Sequence, residues 1–301
     1  MVRNVAEGFI ELEPEDFYLL SGVEHGMRFS RWVNREKLPD LTDLSPDDVT
    51  YRLDRCLDRG LIERKTIQYE GYRLQFEGYD ALALRALTER DSIDAFGAPL
   101  GVGKESDVYE VQGTAGPLAL KFHREGVTNF RRVARERDYT ADREHVSILY
   151  TARKAAEREY GALEALHPTV SVPEPIDQNR HAIVMGKIDG VELSRARLPA
   201  DRALSVLDRI LTQVRLAYEA GYIHADMSEF NVAVTERTVT VFDWPQAVPT
   251  DHENAEELLV RDIENLLGHF RRKYPKAVPE DVDAASIADR IKSADFETVS
   301  A

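Results

Sequence analysis

Apolar residues along this chain change their spacing twice within the first ninety positions. Up to about residue 58 the spacing is helical: Glu13 to Gly22 and Phe29 to Leu38 predict two helices, and a third is marked more fully. Ser45 stands at its N-cap, Pro46 at the first helical position, Asp48 closes a capping box, and Gly60 lies just past the end. Val49, Leu53, Cys56 and Leu57 repeat at i, i+4, i+7 and i+8, so Cys56 belongs to a core face. The period then shortens to two in Leu61 to Ile67 and Gly71 to Phe76, joined around Gln68 to Gly71, which predicts a hairpin. A helix from Tyr79 to Arg90 closes the segment.

Three helices followed by a β-hairpin is the order of a winged helix-turn-helix, whose third helix is the one offered to nucleic acid. Arg52, Arg55 and Arg59 share a face of that helix apart from the apolar stripe. Such a face is either an ordinary solvated surface or a phosphate contact, and the pattern alone leaves both open.

From residue 99 the chain reads PLGVGKESDVYEVQGTAGPLALKFH. Gly101 and Gly103 precede two β-like runs, Asp107 to Val111 and Leu118 to His123, and small residues there let a backbone close over phosphate oxygens. Lys121 lies inside the second run; a lysine in an apolar strand needs a partner, because burying an unpaired ammonium is costly. A helix from Ala152 to Leu166 offers Glu159, on the same face as Leu163. A Lys–Glu pair of this kind aligns the lysine on the α/β-phosphates of a nucleotide.

A long amphipathic helix carrying Leu204, Leu207, Leu211, Val214 and Tyr218 ends at Gly221, and YIHADMSEFNVAVTERTVTVFDW follows. His224, Asp226 and Asn231 form HxDxxxxN, and Asp243 comes 17 residues after Asp226, beyond the runs Val232 to Val234 and Val239 to Phe242. Asp226 can orient or accept a hydroxyl proton, while Asn231 and Asp243 are hard oxygen ligands suited to Mg²⁺, with Mn²⁺ an alternative.

Together these motifs resemble the protein-kinase-like superfamily and, within it, the RIO family of atypical kinases. The loop GVGKESDVY has Ser106 where ordinary kinases place a third glycine, IHADMSEFN is similar to the family's catalytic loop, and Asp-Trp-Pro-Gln at 243–246 stands where ordinary kinases have Asp-Phe-Gly. The winged helix in front resembles the Rio-two branch. The resemblance implies an α+β protein: a winged helix over 1–95 and a trimmed bilobal kinase domain over 96–301, with an N-lobe over 96–184 and a C-lobe over 189–301. It also implies that ATP is held by Gly101, Val102, Gly103, Lys104, Glu105, Ser106, Val108, Lys121 and Glu159, with Met185 and Ile188 in the linker that meets adenine. Catalysis falls to Asp226, Asp243 and Lys121, and Mg²⁺ to Asn231 and Asp243. In this branch Asp243 is also thought to receive the γ-phosphate. One departure lies in the linker, where Gly186 replaces the family's usual Glu. The implied work is an ATPase or serine/threonine kinase in small-ribosomal-subunit maturation, reaching the particle and its rRNA through Arg52, Arg55, Arg59 and a basic stretch at 121–137.

Composition qualifies this picture. The 301 residues carry 54 Asp+Glu against 39 Lys+Arg, a formal charge of −15, and 9 of the basic residues are lysines. Acids spread over the whole chain suggest an anionic shell that keeps a protein soluble in concentrated salt, as in a halophilic archaeon, rather than a site for cationic substrates. Against that background residues 121–137 hold six Lys/Arg and two Glu, a local +4 that suits RNA or ATP phosphates. One cysteine excludes an internal disulfide and a thiolate metal site, so a cytoplasmic setting without structural zinc is expected. The start of the chain has no leader pattern, and no membrane contact is expected. After Asp243 there is room for about two helices, Ala255 to Tyr274 and Pro279 to Ser293, and no Ala-Pro-Glu element. A peptide substrate would find little dedicated surface there.

Two other readings use the same residues. A small-molecule kinase of the aminoglycoside or choline type also has HxDxxxxN, but the short segment after Asp243 leaves little for an acceptor pocket, and a screen of hydroxylated acceptors separates it. A transcription regulator that senses nucleotide would retain specific DNA at moderate salt.

Overall fold

The structure, a computed structural model, describes residues 8–299 except 67, 104, 115, 125–140, 276–277 and 280, with residues 141–147 described by backbone alone. Lys104 and most of the basic stretch at 121–137 therefore lie outside the described residues. The chain divides into two compact units, residues 1–157 with 177–184 and residues 158–176 with 185–301.

The first unit opens with helix α1 (Pro14–Gly26), strand β1 (Val33–Asn34), a 3₁₀ turn (Arg35–Lys37) and helix α2 (Leu38–Thr42). The helix predicted over Phe29 to Leu38 is thus corrected. Val33 instead pairs with Tyr72, and the Asn34 side chain accepts from Glu36 N at 3.0 Å, so that helix begins only at Leu38, with Pro39 in its first turn. Helix α3 (Pro46–Asp58) begins as its sequence predicts: Ser45 Oγ accepts from Asp48 N (3.2 Å) and donates to Asp48 Oδ2 (2.6 Å). Gly60 follows at φ +69°, the left-handed conformation that ends a helix without a Cβ penalty. Strands β2 (Ile62–Thr66) and β3 (Glu70–Leu74) form the wing in a sheet of order β1-β3-β2, and α4 (Phe76–Glu89) completes the module.

Strand β4 (Ala95–Val102) is one the sequence did not announce; its Gly and Pro residues interrupt any alternation, and its pairing with β5 (Ser106–Gly113) slips register on either side of Pro99. Strands β5 and β6 (Gly116–His123) pair antiparallel, residue for residue, and β7 (Pro175–Asn179) and β8 (Ala182–Gly186) complete a five-stranded sheet of order β4-β5-β6-β8-β7. One hydrophobic core runs from the winged helix (Leu20, Leu53, Leu74, Leu87) into this sheet (Tyr109, Leu120, Phe122, Val184). Helix α5 (Ala141–Leu166) starts a turn and more before the position predicted at Ala152.

The second unit contains a small sheet of order β12-β11-β9, built from Val191–Glu192, Val232–Val234 and Val239–Val241, and a pair β10 (Tyr222–Ile223) with β13 (Val248–Pro249). Around them pack α6 (Ala200–Glu219), α7 (Ala255–Lys273) and α8 (Ala284–Lys292). Helix α6 buries Ala203, Val206, Leu207, Ile210, Leu211, Val214 and Ala217, a face turned slightly from the predicted one, so that Leu204 and Tyr218 lie at its margin. Among the described residues no helix is long and apolar enough to cross a membrane.

Candidate functional site

In the first unit the hairpin β4–β5 turns through the glycine-rich loop. Val102 faces Asp107 and Gly101 faces Val108 across the pair, and Gly103 N donates to Ser106 O at 2.9 Å. A Cβ on Gly101 would meet nothing within 4 Å, whereas one on Gly103 would stand 3.4 Å from Ser106 O. Val108 in turn lies opposite Lys121 in β6, so Gly101, Val108 and Lys121 follow one another across three strands. Lys121 is 4% exposed, which makes its ammonium one of the few buried charges of the sheet.

In the second unit α5 carries Glu159, 1% exposed beside the fully buried Leu163. The two units part between Val184 and Met185. Met185 is buried and Ile188 half-buried, and Gly186 N donates to Glu174 O at 2.8 Å. A Cβ at Gly186 would come within 3.3 Å of Glu174 N and Cβ, which gives the glycine a local reason.

Two loops meet here, each with a left-handed residue, Ala225 (φ 63°) between His224 and Asn231 and Asp243 (φ 68°) after the strand Val239–Val241, a conformation that strains any side chain with a Cβ and gathers at functional sites. Asn231 Nδ2 donates to Asp226 O (2.8 Å), and Phe242 N donates to Asn231 O (3.0 Å). His224 Nε2 lies 3.0 Å from Phe242 O, so its N–H points at that carbonyl, and its ring packs 4.5 Å from that of Trp244. Trp244 is itself buried and donates to Val241 O at 3.2 Å, so the indole is turned inward beside the half-buried Asp243. These bonds bring Asp226, Asn231 and Asp243 onto one site.

Sequence reasoning missed the group that shapes this loop. Asp262 of α7 is buried and accepts from Ala225 N (2.7 Å) and Met227 N (3.0 Å). Its neighbours on the helix add Arg261 Nη2 to Ala225 O and Asn265 Nδ2 to Met227 O at 3.0 Å. Burial raises the Asp262 carboxyl above its ordinary pKa against the pull of His224 and those two N–H donors. Asp226 is exposed as a residue, yet partial desolvation of its carboxyl, aided by the negative charge of Asp243, raises its pKa against His224 and Arg261. A divalent cation would offset the negative charge that Asp243 places beside Asp226. Among the described residues no group of three or more His, Cys, Asp or Glu could hold a metal by itself. Mg²⁺ held through nucleotide phosphates needs only one or two protein carboxylates, a donor set that Asp243 with Asn231 would fit.

The arginine face of α3 is corrected. Arg52 is 9% exposed and bonds Glu13 (2.6 Å) and Asp16 (3.1 Å); Arg55 bonds Asp16 (2.9 Å), and Arg59 pairs with Glu11 (3.0 Å). Asp16, fully buried, also caps α1 through Glu13 N. Burial pushes its carboxyl up, but Arg55, Glu13 N and Arg52 outweigh that and hold it below the usual range. These arginines are spent inside the winged helix and are not a free phosphate-binding face.

The RIO domain family matches residues 107–283, and the Rio2 N-terminal family matches residues 9–90. The chain is 42% identical over 271 residues to the RIO-type serine/threonine-protein kinase Rio2 of Methanocaldococcus jannaschii, covering 88% of this chain and 99% of that protein. It is 38% identical to serine/threonine-protein kinase rio2 of Schizosaccharomyces pombe, covering 87% and 77%. Among solved structures, the Rio2 kinase–ADP/Mg²⁺–phosphoaspartate complex from Chaetomium thermophilum matches with a TM-score of 0.82 at 30% identity, covering 96% of this chain and 93% of that one. With both modules matched in order and the identity sustained across them, the chain belongs to the RIO kinase family, in its Rio2 branch.

Proposed function

We propose that this protein is a Mg²⁺-ATP-dependent phosphotransferase of the serine/threonine kinase type that also turns over ATP. The observation that carries this reading is the hydrogen bonding of the strained loop of Asp226 and Asn231 to the strained loop of Asp243, through Phe242 N and Asn231 O, in a chain of the Rio2 branch. Gly101, Val102, Gly103, Glu105, Ser106 and Val108 would line the phosphates, with Lys104, outside the described residues, completing the loop. Lys121 would hold the α/β-phosphates, with Glu159 as the carboxylate that serves it; Met185 and Ile188 would border adenine. Mg²⁺ bound by Asn231 and Asp243 would neutralise charge on the transferred phosphoryl group. Asp226 would orient the accepting oxygen and take its proton, its raised proton affinity matching that task.

The structure similar at 30% identity is described as a phosphoaspartate complex. By extension Asp243 would receive the γ-phosphoryl group here. Attack of its Oδ on Pγ would form the acyl phosphate and break the bond to the β–γ bridging oxygen, releasing ADP; water, oriented by Asp226 and giving it a proton, would then cleave the acyl phosphate to inorganic phosphate and restore the Asp243 carboxylate. The setting would be cytoplasmic, on precursors of the small ribosomal subunit, with RNA contact through Arg131, Arg132, Arg135 and Arg137 of the basic stretch, outside the described residues, rather than through α3 or the buried Lys121 and Arg124. The boundaries at residues 95, 184 and 189 belong to the same proposal.

Incubating the chain with γ-labelled ATP and Mg²⁺, then denaturing it, tests this. Label should remain on the protein, leave on hydroxylamine treatment, and be missing from Asp243→Asn. Label that resists hydroxylamine would place the phosphate on a hydroxyl instead and reject the acyl phosphate.

A further inference from the structure

We infer that Arg124 is a positioning residue through which the winged helix holds the phosphate loop in place. The inference rests on reading residues 101–106 as the loop over the ATP phosphates, and it concerns a group that touches neither nucleotide nor acceptor.

Arg124 follows the last residue of β6. The ladder between β5 and β6 ends at the pair Ser106–His123, and Arg124 N extends it by one rung, donating to Glu105 O at 2.7 Å. That bond reaches inside the loop, so wherever the Arg124 backbone is fixed, Glu105 is fixed with it. The side chain does the fixing. Its Nη1 and Nη2 bond the two oxygens of Asp80 on α4 at 2.8 Å each, and its Nε bonds Asp107 Oδ2 at 3.0 Å, one residue past Ser106. His181, in the turn between β7 and β8, brings Nε2 to 2.7 Å from Asp80 Oδ1 and 3.0 Å from Arg124 Nη1. The guanidinium lies 5.0 Å from the ring centre of Phe76 and 5.4 Å from that of Phe122. Side-chain exposure is 11% for Arg124, 2% for Asp80 and 0% for His181, so this network is sealed from water.

A planar fork can satisfy a carboxylate on one edge and a second carboxylate through Nε, whereas a lysine ammonium is a single point and cannot span both. Asp80 is thus an element of the winged helix clamped onto the root of the loop. Burial pushes its carboxyl up, yet Arg124 and His181 outweigh burial and keep it ionised. The same cluster could be no more than a stability device, and the two roles separate in the kinetics.

Arg124→Lys and Asp107→Asn in the full chain make the test. Asp107→Asn weakens only the contact on the loop side and leaves Asp80, Arg124 and His181 together, so it serves where Arg124→Lys lowers the yield of folded protein. The readouts are KM for ATP, kcat, and amide hydrogen exchange of residues 101–107 without nucleotide, all taken well below the melting temperature. The expected result is a KM raised roughly tenfold, the loss of about one charge-assisted bond, with kcat within about twofold and faster exchange confined to the loop. Lower melting temperatures with KM and loop exchange unchanged would overturn the positioning role. A wild-type chain that turns over no ATP would instead reject the functional reading, and the exchange arm would still judge Arg124.

Discussion

Asp262 illustrates how a single residue can determine a site it is not part of. It accepts two backbone N–H groups that flank Asp226, and no residue of the HxDxxxxN motif itself does that. Asp262→Ala would leave Ala225 N and Met227 N buried without an acceptor. The expected cost is about 2–4 kcal/mol in urea unfolding, together with a fall in kcat, since each orphaned buried donor costs about 1–3 kcal/mol. Unfolding midpoints and kcat at wild-type levels would show that Asp262 merely fills space. In the sequence Asp262 reads as one more acid in an acidic helix, although it falls among Leu259, Ile263 and Leu266, which face the core. An acid on an apolar face was the available signal. The motif residues needed no such inference, because their spacing alone brings them together. Arg52, Arg55 and Arg59 were equally visible, but their partners Glu11, Glu13 and Asp16 lie some forty residues earlier, and the crossing of α1 on α3 has no local signature.

Among the elements, those whose caps or periods are satisfied locally were readable. Helix α3 has its Ser45 cap and Pro46 start, and the wing strands pair without a break from Ile62–Leu74 to Thr66–Glu70. The elements that were misread depend on distant partners. Val33 and Asn34 become a strand edge only because Tyr72 and Gly71 lie beside them, so a stretch that reads as helix from Phe29 becomes α-helical only at Leu38. Strand β4 is held by β5 despite Gly97, Pro99 and Gly101, residues that argue against a strand when no partner is known. The kinase-like core was therefore legible mainly through its chemistry, and the loops that carry the chemistry were placed before the sheet that supports them.

For the whole molecule, the charge of −15 describes its surface, while the buried charges of the first unit form closed networks. One of these sets an acid limit. His181 is enclosed by Phe76, Tyr79 and Phe122, and burial lowers its pKa to about 4 against the pull of Asp80. Between pH 6.5 and 4 the unfolded chain therefore binds a proton that the folded chain refuses. Stability is full above about pH 6.5 and declines as pH falls toward 4, by on the order of 3 kcal/mol from this residue. His269, lowered in the same direction by burial, adds to the slope, whereas Asp80, lowered below 3.8, contributes only at still lower pH. Urea midpoints across this range should slope less in His181→Phe than in wild type; equal slopes would place the acid sensitivity elsewhere.

The central claim is that two strained, hydrogen-bonded loops of the second unit carry Mg²⁺-dependent phosphoryl transfer, with Asp226 as the group that handles the accepting oxygen. Steady-state ATP turnover by the full chain with Mg²⁺, compared between wild type and Asp226→Ala, measures this most directly. A general base contributes about 10²–10⁴-fold, so turnover should fall by at least about a hundredfold while nucleotide affinity stays near wild type. Turnover in Asp226→Ala within about threefold of wild type would contradict the account.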